Sequence, residues 1–104
     1  MNSIALGHGS TAFGMNSIAL GNDAIADGEN SIAIGNQAMA NSQNSIALGY
    51  GTIANGINSY ALGSKTSVNG DYSMAWGNEF YTINDNVFTI ANIELFKVSE
   101  STLL

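Results

Sequence analysis

The chain repeats itself every fourteen residues, and the register never slips over seven copies. Residues 1–14 read MNSIALGHGSTAFG and residues 15–28 read MNSIALGNDAIADG. ENSIAIGNQAMANS, QNSIALGYGTIANG and INSYALGSKTSVNG follow, ending at Gly70. Two degenerate copies, DYSMAWGNEFYTIN (71–84) and DNVFTIANIELFKV (85–98), precede a final SESTLL. A unit this short cannot bury an apolar face by itself, so it must stack on its neighbours.

Numbering the repeat as columns 1 to 14 turns it into a physical specification. Column 7 is glycine at Gly7, Gly21, Gly35, Gly49, Gly63 and Gly77, and column 14 is glycine at Gly14, Gly28, Gly56 and Gly70. Glycine supplies positive φ cheaply, so two glycine columns seven residues apart predict two turns per repeat. Between the turns lie two short extended arms, which makes each repeat a flattened coil. Column 2 is asparagine at Asn2, Asn16, Asn30, Asn44, Asn58 and Asn86. Asparagine at a turn entry tolerates left-handed geometry, and stacked copies can form amide ladders. A helical reading, two heptads per repeat, fails because each recurring glycine would cost about 0.8–1.0 kcal/mol inside a helix.

Strand side chains alternate, so columns 4 and 6 share one face and columns 3 and 5 the other. Columns 4 and 6 are large and apolar, as in Ile18/Leu20 and Ile46/Leu48; columns 10 and 12 are small, as in Ala24/Ala26. Large against small is expected to fill a thin interior, which puts columns 4, 6, 10 and 12 inside. Columns 3 and 5, serine and alanine, then face outward with column 11. Column 11 holds Ile25, Met39 and Ile53, an apolar ridge that a solitary solenoid would not be expected to expose. The expected contact is that ridge against a neighbouring subunit's strip at Ala5, Ala19, Ala33 and Ala47. Such a contact closes into a ring or runs on as a filament.

The 104 residues amount to one domain or a piece of one. Charged residues are only 10%, against about 25% typically, yet 45% of the chain is hydrophobic, which argues against a disordered tail. With no cysteine, thiolate chemistry is excluded, and the one histidine, His8, falls in a turn column, where a solvated role is expected. The eight acidic residues show no recurring pair, so neither a glycosidase dyad nor a repeat-encoded calcium site is suggested. No enzyme activity, cofactor or metal is expected. The net charge of −6 repels phosphate backbones, and no apolar run reaches the roughly 18 residues of a membrane span. Residues 1–4 lack the basic and apolar regions of a signal peptide. Met1 stands in the column of Met15, so the first coil is expected to need a cover on its open edges, from preceding sequence or a docked partner.

The run Asn-Ser-Ile-Ala-Leu/Ile-Gly, followed by Ala-x-Ala and glycine at this period, resembles the head repeat of trimeric autotransporter adhesins, the YadA-like head. The likeness covers residues 1–70 well and 71–77 in part, through Ser73, Ala75 and Gly77. It implies an all-β, left-handed parallel β-roll of fourteen-residue coils, three of which associate about a threefold axis. It also implies a non-catalytic, adhesive role at a bacterial surface, with a host-surface protein or glycan as partner. Similar repeats occur in phage fibre and virion proteins, which keeps open a virion structural role with other virion proteins as partners. A lattice-binding solenoid of the ice type ranks last, because it needs an outward threonine ladder. Such adhesins continue into a neck, coiled-coil stalk and anchor, and residues 71–104 show no heptads. That section is instead expected to cap the five regular repeats of 1–70. It gathers aromatics, including Tyr72, Trp76, Phe80, Tyr81 and Phe88, with strands expected at 80–83, 87–90 and 93–98 around a turn at 84–86.

Overall fold

The computed structural model describes residues 2–91; the strand expected at 93–98 lies outside them. The described residues form a parallel β-solenoid of about six turns, without helix. Each regular coil has one arm at columns 4–6: β1 (Ile4–Leu6), β3 (Ile18–Leu20), β5 (Ile32–Ile34) and β7 (Ile46–Leu48). The other arm is β2 (Thr11–Ala12), β4 (Ile25–Ala26), β6 (Met39–Ala40) and β8 (Ile53–Ala54). β9 (Tyr60–Val68) and β10 (Met74–Thr82) run through both arms, and β11 (Phe88–Ala91) follows. All pairings are parallel with a fourteen-residue offset, so Ile4, Ile18, Ile32, Ile46, Tyr60, Met74 and Phe88 stand in one row.

Both corners are four-residue turns. At one, the Ser31 amide donates to the Gly28 carbonyl (3.2 Å) and that of Ser45 to Ser42 (3.2 Å). At the other, Ala24 donates to Gly21 (3.4 Å) and Ala38 to Gly35 (3.3 Å). The third residue of each turn is left-handed: Asn16, Asn30, Asn44 and Asn58 (φ 59, 59, 57 and 55°) in column 2, and Asp23 and Gln37 (φ 59 and 63°) in column 9. That is the φ a type II turn requires at its third residue. The coil is therefore two similar seven-residue halves. Gly21 needs its φ of 128°, whereas Gly28 has no such φ and is fixed by sterics: a Cβ there would run into the Ser42 carbonyl one coil away.

The interior corrects the expected facing of the first arm. Ala19, Ala33, Ala47, Ala61 and Ala75 of column 5 are fully buried, and so are Ser17, Ser31, Ser45 and Ser59 of column 3. Columns 10 and 12 are inside as expected, with Ala24, Ala26, Ala38, Ala40, Thr52 and Ala54 fully buried. Columns 4 and 6 point outward: Ile4 is 52% exposed, Leu6 64%, Ile34 37% and Leu48 36%. The corner explains the reversal. Ser17, Ser45 and Ser59 turn their hydroxyls in to donate to the carbonyls of Gly14, Ser42 and Gly56, each at 2.6 Å. Alternation then carries column 5 inward and columns 4 and 6 out. Ser31 Oγ is buried without a partner.

Two substitutions test this geometry by thermal melting. Ala47→Leu inserts three methyl-sized groups into a filled interior and is expected to cost about 1–3 kcal/mol or more; an unchanged melting temperature would return column 5 to the outside. At Asn44, glycine keeps the turn at a cost within about 1 kcal/mol. Valine at Asn44 forces a β-branched residue into left-handed backbone and is expected to lose about 2 kcal/mol.

Candidate functional site

With alanine and serine filling the coils, the large apolar residues are left on the outside, and they are ordered. The face of columns 4 and 6 carries Ile18, Leu20, Ile32, Ile34, Ile46 and Leu48 in consecutive coils, half-buried or exposed. The second arm presents column 11, where Ile25, Met39 and Ile53 point outward and are half-buried. The column-11 ridge thus stands where the repeat suggested, but its expected counterpart does not. Ala19, Ala33 and Ala47 are sealed inside the coils and cannot form a surface strip. Ala5, in the same column of the first coil, is exposed. The threonines Thr52, Thr66 and Thr82 also lie inside, so they form no outward ladder of the kind a lattice-binding face would need.

Polar rows run beside these apolar columns. In column 2 the Asn16 amide donates to Asn30 Oδ1 (3.3 Å). A tighter ladder occupies column 13: Asn41 Nδ2 donates to Asn55 Oδ1, and Asn55 Nδ2 to Asn69 Oδ1, both at 2.7 Å. Its signal was three asparagines at fourteen-residue spacing beside the more populated column 2. At column 1, Asp71 Oδ1 accepts the Ile57 amide (2.9 Å) and Asp85 Oδ1 the Asp71 amide (2.8 Å). These carboxylates continue the stack where the amide columns change. Lys65 Nζ lies 5.7 Å from the centre of the Tyr50 ring.

The turn glycines Gly7, Gly21, Gly35, Gly49 and Gly63 have φ between 118 and 130°, while Gly77 has no positive φ. Column 9 escaped the sequence reading although Lys65 and Glu79 are left-handed there as well (φ 54 and 55°). Its mixture of glycine and polar residues was the available sign. Among the described residues no group of three His, Cys, Asp or Glu side chains could hold a metal ion, and no helix is long and apolar enough to cross a membrane. His8 is exposed in its turn.

The aromatic section begins where the fold changes. Tyr60, Trp76 and Phe88 replace aliphatic residues on the face of columns 4 and 6, and all three are exposed. Beside them, Tyr72 replaces asparagine in column 2. A depression of about 490 Å³ lies there, lined by Asn58, Tyr60, Tyr72, Met74, Asn86 and Phe88 among others.

A comparison with curated proteins finds no match. The profile described as the YadA head domain repeat matches residues 1–24, 26–52 and 54–79, each match spanning two copies of the repeat. Those three stretches take in most of the chain and coincide with its stacked coils, and the chain belongs to the YadA head domain repeat family.

Proposed function

We propose that the chain is a non-catalytic attachment module that works as a parallel homotrimer at a bacterial surface, presenting three copies of its outer faces to a surface ligand. The observation that carries this reading is the unbroken apolar face of columns 4 and 6. Ile34 and Leu48 are more than a third exposed in the single chain, with Ile32 and Ile46 beside them. A contiguous apolar face of this kind marks an interaction surface. Coils of equal height repeat every 4.8 Å or so, so parallel copies meet level by level along their whole length. Cyclic closure about an axis along the stack buries the face in every copy and leaves no copy unpaired. The column-11 ridge, on the other arm, supplies the neighbouring apolar surface that such a contact needs. The trimer replaces the interface expected at Ala19, Ala33 and Ala47 with one at columns 4 and 6.

Attachment through such a module depends on number. Three parallel copies of each outer feature convert weak single contacts into a tight multivalent one. Family membership and the lack of any recurring acid–base or metal arrangement in the repeat support a structural task over a catalytic one.

Light scattering tests the assembly. The expected result is a mass three times the 10.8 kDa chain, constant with concentration. Ile34→Asp with Leu48→Asp places six carboxylates in the apolar centre of the trimer and is expected to yield smaller species. A trimer that survives this double change would displace the interface, and a monomeric parent chain would overturn the reading.

A further inference from the structure

The dipeptide Asn-Gly occurs twice, at Asn55-Gly56 and Asn69-Gly70, and both asparagines stand exposed in column 13. Asparagine is chemically labile. It is most so before glycine, where no side chain hinders attack of the next backbone nitrogen on the side-chain carbonyl carbon. That nitrogen is equally available at the two sites. The Gly14 and Gly28 amides donate to the carbonyls of Ala26 and Ala40 (3.2 and 3.3 Å), but among the described residues those of Gly56 and Gly70 make no such bond.

The two asparagine side chains differ. Asn55 sits inside the amide ladder: its Oδ1 accepts from Asn41 and its Nδ2 donates to Asn69, both at 2.7 Å. Asn69 ends the ladder. Its Oδ1 accepts from Asn55, but column 13 of the next coil is Ile83, which offers no acceptor to Asn69 Nδ2. The corner after Asn69 is also held differently. Ser59 Oγ donates to the Gly56 carbonyl (2.6 Å), whereas Ser73 Oγ turns to the carbonyls of Asp71 (3.1 Å) and Asn84 (2.8 Å).

We propose that Asn69 is a self-modification site, at which the folded chain deamidates ahead of Asn55. The Gly70 nitrogen bonds to Asn69 Cγ, the Cγ–Nδ2 bond breaks, and the Gly70 amide proton leaves with Nδ2 as ammonia. Water then opens the resulting succinimide at one of its two carbonyls. One opening gives aspartate; the other gives an isoaspartyl link, which lengthens the main chain by a methylene. Gly70 is pressed against the next coil, where even a Cβ would run into the Asn84 carbonyl, so aspartate is the expected product in the folded chain. Aspartate keeps the last bond of the ladder, since Asn69 only accepts there, and its charge strengthens that bond. The site does not draw on the trimer. Column 13 lies off the face of columns 4 and 6, and column 11 beside Asn69 is Ser67, beyond the apolar ridge.

The full chain is aged in mildly alkaline buffer, folded and in urea, and conversion is followed by peptide mass spectrometry. Trypsin cuts after Lys65 and so separates the two sites. Folded, Asn69 is expected to convert about fivefold faster than Asn55, which has one more hydrogen bond to release. In urea the two are expected to convert at similar rates. Ile83 is 67% exposed, so it can be replaced without opening the interior. Ile83→Asn supplies the missing rung and is expected to slow Asn69 about fivefold without slowing Asn55. Ile83→Ala removes the same side chain, supplies no amide and is expected to leave Asn69 unslowed. The proposal is overturned if Asn55 converts as fast as Asn69 in the folded chain, or if Asn69 stays intact there while the urea sample converts. An equal preference for Asn69 in urea also overturns it, as does an Ile83→Asn chain that slows Asn69 no more than Ile83→Ala does.

Discussion

The corner turn governs this molecule. Each coil from residue 15 to residue 56 closes through two four-residue turns with a left-handed third residue, and at one corner the column-3 serine turns inward, as where Ser17, Ser45 and Ser59 hydrogen-bond the turn carbonyl. Once that hydroxyl is inside, the alternation of the strand is fixed, and a column of alanines follows it inward. The two arms then lie too close for anything larger. Through residue 56 the buried side chains are serine, alanine and threonine, and the largest fully buried side chain of the described residues is Val68.

That choice sets the energetics. A solenoid cored by alanine and serine gains little from apolar burial within one chain, because methyl and hydroxymethyl groups remove little area from water. Its cohesion comes from the backbone ladders and amide rows that tie coil to coil, and from whatever covers the isoleucine and leucine face outside. The arrangement inverts the usual globular plan. The apolar mass sits on the exterior of each chain, available to hold separate chains together. A small chain that buries so little needs such reinforcement. In the proposed trimer stability and assembly share one surface, whereas shape is fixed at the corners.

The fourteen-residue period made the number of arms, their places and their parallel stacking legible, because glycine columns seven residues apart leave no other way to lay out the chain. The same period could not say which side of the first arm is the inside. Alternation relates column 4 to column 5 but does not orient them, and the size rule applied to Ile18 and Leu20 pointed the wrong way. A better sign was present. Column 5 keeps alanine at Ala5, Ala19, Ala33, Ala47, Ala61 and Ala75, while column 4 accepts Ile46, Tyr60, Met74 and Phe88. A close-packed interior holds one volume and an exterior accepts many, so variation in size between copies marks the outer columns. The amide ladder at Asn41, Asn55 and Asn69 could have been read from spacing; the depression beside Tyr72 could not, because it depends on the neighbours that three successive coils bring together.

The departures from the repeat are coordinated. Column 10 runs Ala24, Ala38, Thr52, Thr66, Phe80, and column 12 runs Ala26, Ala40, Ala54, Val68, Thr82, so the interior side chains grow along the stack. Phe80 packs against the buried cluster while remaining half-buried. In the same coils the turn between the arms opens, and β9 and β10 run straight through, with Lys65 and Glu79 preserving one left-handed residue in each strand. At this end of the stack Tyr60, Tyr72, Trp76 and Phe88 stand exposed on the outer columns. The regular coils thus act as a ruler that fixes height and direction. Their gradual loss of regularity is what allows a distinct surface to form, since identical coils can only repeat the same face.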